Sequence, residues 1–307
     1  MKLFSLLFAF AVLAVIPARA GDPLRVASLS TVLADFGREI GGDRVRIVEI
    51  VKPGTDPHLY EPSPGDLKEL SKAQVILANG LGFESYLERL RKSLGAGPRF
   101  VVAGDVVKPI MAEEAAHDHQ HPVGEHQEDG HDHGPVPDPH WWHSISNAKA
   151  AARAVRDAFV DADPAGKAIY EKNTKDLLAG LDTLQRWAKA EIARLPKRDR
   201  ILVTSHDALG YFARDYGFEV KPVQGVSTSD QPSSQKIRDL IGDIKALGVK
   251  AIFAENIENP KVLEEITREA GARQGGVLYA DGLGVGPAST YEGMFRHNVN
   301  TIVSALQ

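Results

Sequence analysis

The stretch RILVTSHDALGYFARDY, residues 200–216, decides the fold. Arg200–Thr204 is a short β-rich apolar run, and Ala208–Tyr216 carries a helical pattern. Only Ser205, His206 and Asp207 separate them. A strand that turns so quickly into a helix is half of a crossover unit, and strands joined by such crossovers pair in parallel. The same alternation runs along most of the chain. Strands are expected at Leu24–Leu29, Val45–Val51, Gln74–Ala78 and Phe100–Ala103, and again at Arg200–Thr204, Glu219–Val223, Lys250–Ala254 and Gly276–Ala280. The expected fold is α/β, with two lobes that each hold a mainly parallel sheet flanked by helices.

The two sets of strands read as copies at an offset of about 176 positions. Phe36, Arg38 and Gly41 fall on Phe212, Arg214 and Gly217. With one residue inserted, Leu70 and Val75-Ile76 fall on Leu247 and Ile252-Phe253. At the original offset Val101 and Asp105 fall on Val277 and Asp281. Between the copies a helical pattern runs from about Pro164 to Leu195. Asp163-Pro164 supplies an N-cap with Pro at the first helical position, and Pro196 ends it. Ile169, Leu177, Leu181, Leu184, Trp187, Ala188 and Ile192 recur at near-helical spacing. The length exceeds the usual globular helix, so a rigid strut joining two lobes is expected. The division that follows is an N-terminal lobe over 21–160, a linking helix over 161–197 and a C-terminal lobe over 198–307.

Residues 1–20 read as an address. Lys2 gives a basic start, Leu3–Ile16 an apolar run too short for a membrane span, and Ala18-Arg19-Ala20 a small-x-small cleavage pattern, so the mature chain is expected to begin at Gly21. The sequence holds no Cys, which removes disulfides and thiolate metal sites and leaves no residue for a lipid anchor after the cut. A soluble periplasmic protein is expected. Without Lys2 and Arg19, the 36 Lys and Arg fall to 34 against 41 Asp and Glu, a formal charge of −7. Seven of the acidic residues lie in Glu113–Gly134 with no Lys or Arg among them, so the remaining surface is nearly balanced. That argues against nucleic acid as a partner. No later apolar stretch is long enough to enter a bilayer.

Four residues stand at related places in this architecture. His206 follows the strand Arg200–Thr204, and Asp281 follows Gly276–Ala280; parallel α/β sheets gather ligand groups at the C-terminal ends of their strands. His58 lies in the loop Pro53-Gly54-Thr55-Asp56-Pro57-His58 after Val45–Val51. His140 lies in Pro137-Asp138-Pro139-His140, ahead of another helix. The first pair belongs to one lobe and the second to the other. Each His taken singly suits an ordinary loop or cap, but Asp-Pro-His occurring twice, with a third His at a strand end, favours a shared site. Three neutral imidazoles and one carboxylate can close a tetrahedron around Zn²⁺ at about 2.0–2.2 Å. Such a shell leaves no open position for an activated water, so it suits holding an ion rather than hydrolysis.

These motifs bear a family resemblance. Pro53 to Pro64, reading PGTDPHLYEPSP, looks like the first metal-ligand motif of the solute-binding proteins of zinc and manganese ABC importers, cluster A-I. Asp138-Pro139-His140-Trp141-Trp142 with Asn147-Ala148 resembles the second. Thr204 to Phe212 resembles the third, and Tyr279-Ala280-Asp281-Gly282-Leu283 the fourth. The similarity runs from about Val26 to Leu306. It implies two α/β lobes joined by one long helix with metal buried between them, the ligands His58, His140, His206 and Asp281, and no catalytic activity. It also implies an ABC permease as partner to a mature chain acting as a monomer, and leaves open whether a zinc metallochaperone loads it. The chain departs from the family at His143, where an apolar residue is usual, and in Thr228 to Ser233, where the acidic pattern is only partly kept. His143 is therefore a candidate extra or alternative ligand, the other reading being that His140 and His143 sit three apart on a helix start without sharing an ion.

Residues 113–134 carry His117, His119, His121, His126, His131 and His133 among acidic residues and Gly. Such low hydrophobicity cannot repay the entropy of ordering, so a mobile loop is expected, either a plain solvated insertion or one with a zinc role, whether gathering ions near His140, sensing them or docking a zinc donor. Of Trp141 and Trp142, one is expected to pack behind His140. Glu255, at the end of its strand, is a candidate acceptor for a ligand imidazole, with an exposed helix-start position as the alternative. Three imidazoles favour Zn²⁺, while the aspartate oxygen leaves Mn²⁺ open. A zinc hydrolase is the reading from another class, but no His-Glu-x-x-His helix is present.

Overall fold

The computed structural model describes residues 22–112, 135–230, 232–256 and 261–307. The expected signal segment and the histidine-rich stretch 113–134 lie outside the described residues. In chain order the elements are β1 (Leu24–Ser28), α1 (Thr31–Gly41), β2 (Val45–Glu49), α2 (Pro64–Leu70), β3 (Val75–Ala78), α3 (Leu87–Leu94) and β4 (Arg99–Val102). A two-residue hairpin follows, β5 (Met111–Ala112) with β6 (Val136–Pro137), then α4 (Ile145–Ala162) and α5 (Lys167–Ile192). The second half contains β7 (Ile201–Thr204), α6 (Gly210–Tyr216), β8 (Glu219–Pro222), α7 (Ser234–Leu247), β9 (Ala251–Glu255), α8 (Lys261–Ala270), β10 (Arg273–Leu278) and α9 (Tyr291–Leu306).

The two four-stranded sheets are wholly parallel and share one strand order, β2-β1-β3-β4 in the first half and β8-β7-β9-β10 in the second. This is the repeated architecture that the offset copies anticipate. A local bond repeats with it: the Ser28 hydroxyl donates to the Ser30 carbonyl at 2.6 Å and the Thr204 hydroxyl to the His206 carbonyl at 2.9 Å. The chain reverses direction across each sheet between its first and third strands, which is where an open α/β sheet offers a crevice.

Side-chain chemistry explains the element starts. Ser63 caps α2 in a reciprocal box with Asp66, ahead of Pro64 at the first turn. Ser233 and Thr290 cap α7 and α9 by accepting from Lys236 N and Gly293 N. Strand β3 is buried at every position, as a central parallel strand covered on both faces requires. Strand β10 begins three residues before its expected start and ends two before its expected end. It crosses Gly275-Gly276 through a bulge. Gly276 has φ +113, and a Cβ on Gly275 would lie 2.5 Å from the Phe253 ring, so both positions require glycine.

One continuous core fills both lobes through α1, α4, α5 and α9, while smaller clusters lie under α2 and α3 and under α7 and α8. The long helix packs against α1, α4 and α9. Burying Leu181, Leu184 and Ile192 there, at about 1.5–3 kcal/mol each, makes α5 part of the core of both lobes. Two local expectations are corrected. Ile169 is 43% exposed, because Tyr170 and Thr174 take the inner face of that turn. Asp163 does not cap the α-helix: a 3₁₀ turn, Pro164–Gly166, comes first, and the Asp163 carboxylate is engaged by Arg44 and the Tyr170 hydroxyl. Among the described residues, no helix is long and apolar enough to cross a membrane.

Candidate metal centre

His206 leaves the sheet directly after β7, and Glu255 ends β9 beside it, at the crevice where the chain reverses direction in the C-terminal sheet. Glu255 Oε1 accepts the backbone N–H groups of Ser205 and His206 at 3.1 and 3.2 Å. Its other oxygen lies 2.5 Å from His206 Nδ1. An acceptor at Nδ1 fixes the proton there and turns the Nε2 lone pair outward. Glu255 therefore takes the orienting role, and its 5% exposure rules out an exposed helix start.

The two Asp-Pro-His tripeptides form the same local turn. Asp56 Oδ1 accepts His58 N–H at 2.9 Å, and Asp138 Oδ1 accepts His140 N–H at 2.9 Å. A short aspartate side chain closing onto the backbone two residues on is what this residue type favours in turns. Asp138 Oδ1 also takes the His140 Nδ1–H at 2.8 Å, so this imidazole too presents Nε2.

The four expected residues converge. The Nε2 atoms of His58 and His140 are 3.3 Å apart, and those of His140 and His206 are 3.4 Å apart. Asp281 Oδ1 lies 3.1 Å from the Nε2 of His140, 3.1 Å from that of His206 and 3.6 Å from that of His58. Corners of a tetrahedron about a cation held at about 2.0–2.1 Å stand about 3.3–3.4 Å apart, so the donor set fits a small divalent ion. The His140 and His206 side chains are 0% exposed, Asp281 1% and His58 6%. Asp281 Oδ2 is buried without a hydrogen-bond partner among the described residues.

Charge is concentrated here. Burial alone lowers His206, but the Asp281 and Glu255 carboxylates outweigh it and raise the ring well above its ordinary range. Burial also opposes His140, and Asp138 and Asp281 again prevail upward. Asp281 is pushed up by burial, yet His206 and the bonds from all three imidazoles hold it well below the usual carboxylate range. Without an ion, protons would have to hold this cluster together.

His143 is not among the converging donors. Its Nε2–H donates to the Ala280 carbonyl at 2.7 Å, and burial lowers the ring to about 4, so it is neutral. Trp142 Nε1–H donates to the same carbonyl at 2.9 Å, and its ring packs 5.3 Å from that of His140. Trp142 is thus the tryptophan behind His140, and both side chains clamp the residue before Asp281. Phe83 covers His58 with ring centroids 4.7 Å apart. The loop that presents Phe83 is closed by the buried Glu84, which accepts from Asn79 and Gly80 N–H and is raised by burial to about 7. Sequence reading passed over Phe83, Glu84 and the orienting role of Asp138. For Asp138 the recurrence of Asp two residues before His was the available signal; for the other two there was none.

Comparison with known proteins agrees in fold and extent. The family model ZnuA, described as "Zinc-uptake complex component A periplasmic", matches residues 26–305. The manganese-binding lipoprotein MntA of Bacillus subtilis is 34% identical over 295 residues, covering 94% of this chain and 91% of that protein. The iron-binding protein YfeA of Yersinia pestis is 30% identical, covering 93% and 87%. The solved periplasmic zinc-binding protein TroA of Treponema pallidum superposes with a TM-score of 0.81 at 30% identity, over 93% of this chain and 99% of that one.

Proposed function

The chain belongs to the ZnuA family of periplasmic metal-binding components of ABC importers, and on that premise we propose that it captures Zn²⁺ with His58, His140, His206 and Asp281 and delivers it to a membrane permease. One observation carries this reading: three Nε2 atoms and one carboxylate oxygen approach within 3.1–3.6 Å along the measured edges, with two of the imidazoles oriented by carboxylates at Nδ1. Nitrogen-rich, tetrahedral coordination suits Zn²⁺ better than the harder Mn²⁺. The four protein donors fill such a shell, which suits capture and transport. The chain acts in the periplasm once residues 1–20 are removed.

A second reading, Mn²⁺ as the cargo, is favoured by the unpartnered Asp281 Oδ2. If both oxygens of that carboxylate bound, the shell would gain a fifth donor and more oxygen character. Relatives named for manganese, iron and zinc make the choice an experimental one. Metal analysis of protein purified without added ions, followed by competitive titration of Zn²⁺ against Mn²⁺, decides it. Co-purified zinc and a zinc preference are expected. A manganese preference moves the reading to manganese, and weak binding of both overturns it.

A further inference from the structure

The four donors are not held equally. The turn carrying His140 is bonded to the C-terminal lobe along its length. Tyr211 hydroxyl donates to Asp138 O at 2.9 Å, Tyr291 hydroxyl to Trp142 O at 2.7 Å and Ser144 hydroxyl to Asp215 at 2.5 Å, besides the two bonds to Ala280 O. His140 is thus bonded into the lobe that carries His206 and Asp281, although Asp138 N–H also donates to Ile110 O at 2.8 Å. His58 stands on the loop between β2 and α2, from the opposite lobe. Among the described residues, the hydrogen bond that ties that loop across the cleft is from the Thr228 hydroxyl, which donates to Asp56 Oδ2 at 2.8 Å over a sequence separation of 172 residues. Asp56 spends its other oxygen on the His58 N–H. Thr228 and His58 are therefore joined through a single carboxylate.

A cavity of about 430 Å³ opens at the same place, lined by His58, Phe83, Pro139, Ser227, Ser229 and Asp230. Of the four donors His58 is the one that lines this cavity, and its side chain is the most exposed of them. Thr228 lies between two of the lining residues. We propose that Thr228 is a positioning residue for His58: by holding Asp56 it keeps the His58 turn against the C-terminal lobe, so the ion leaves through this cavity when the Thr228–Asp56 bond opens. The inference rests on the metal-capture reading above and adds to it the element that governs release.

The test is chelator-trapped zinc dissociation from the full chain by stopped flow. Thr228→Val keeps shape and loses the donor; it should speed release about five- to tenfold, within the range of one ordinary hydrogen bond, with the metal-free melting temperature lowered by no more than about 4 °C. Thr228→Ser keeps the donor and should release at the parent rate. In an Asp56→Ala background, Thr228→Val should add nothing, because its effect passes through that carboxylate. Parent-like release from Thr228→Val, or a full further effect in the Asp56→Ala background, overturns the proposal. His206→Ala is measured alongside: if it has lost tight binding while Thr228→Val behaves as the parent, the capture reading stands and only the role of Thr228 fails.

Discussion

Asp56-Pro57-His58 and Asp138-Pro139-His140 are one tripeptide used twice, and the two turns match in their first bond: aspartate Oδ1 to histidine N–H at 2.9 Å. They part at the second. Asp138 turns back on its own histidine and locks the imidazole, in a segment bonded to the far lobe. Asp56 reaches away, to Thr228, and leaves the His58 ring to be set by Phe83 and by its fellow donors. The local sequence makes the turn; the surroundings give each aspartate a different second bond, to its own imidazole in one copy and to Thr228 in the other.

That contrast has measurable consequences. The largest difference is expected between the two histidines as proposed ligands. His140→Ala and His206→Ala remove a member of the fixed trio and should weaken zinc binding by more than about 100-fold in competition with a fluorescent chelator. His58→Ala leaves the trio whole and should cost less, expressed mainly as faster release. Equal losses would break the comparison. Next come the orienting carboxylates. Asp138→Asn and Glu255→Gln should each cost about 10–100-fold in affinity, and Asp56→Asn less than tenfold, read by calorimetric titration.

Proton competition separates the metal-free and loaded states. His140 and His206 are raised in the metal-free cluster, so both keep protons above the ordinary imidazole value of 6.5, and binding must displace them. Affinity should fall with falling pH, starting above 6.5, with proton release visible as a buffer-dependent heat. The stability of the metal-free fold runs the other way. A raised imidazole contributes stability that is present below its unfolded value of about 6.5 and is lost as pH rises through the folded value. The depressed Asp281 contributes stability present above about 3.9 and lost as pH falls through its folded value. Thermal melts with chelator and with zinc should therefore diverge as pH rises from about 6 to 9, since ligand stabilisation grows with affinity. A constant gap would argue against imidazole ligation. The smallest effect is expected from deleting residues 113–134: one tight site should remain, with affinity within about twofold by titration, because the four donors lie outside that stretch.

Much of this molecule was legible in its sequence because the controlling interactions are short. Alternating apolar runs and helical spacing called for parallel sheets, and Asp-Pro-His at two places with a third His at a strand end pointed to residues that converge. Where neighbours from afar compete, local reading failed: Arg44 draws Asp163 from capping the long helix, and Phe253 requires the glycine at position 275 inside β10.

Sequence by itself determined the α/β class, the repeated lobes and the four residues worth watching. Only tertiary structure decided that they meet, since neighbouring donors are 82, 66 and 75 positions apart. It also decided that Asp56 bonds Thr228 while Asp138 bonds its own imidazole, a property of the surroundings rather than of the tripeptide. Local pattern selects a backbone conformation, but a coordination shell is a balance of long-range distances and buried charge that exists only once both lobes are packed.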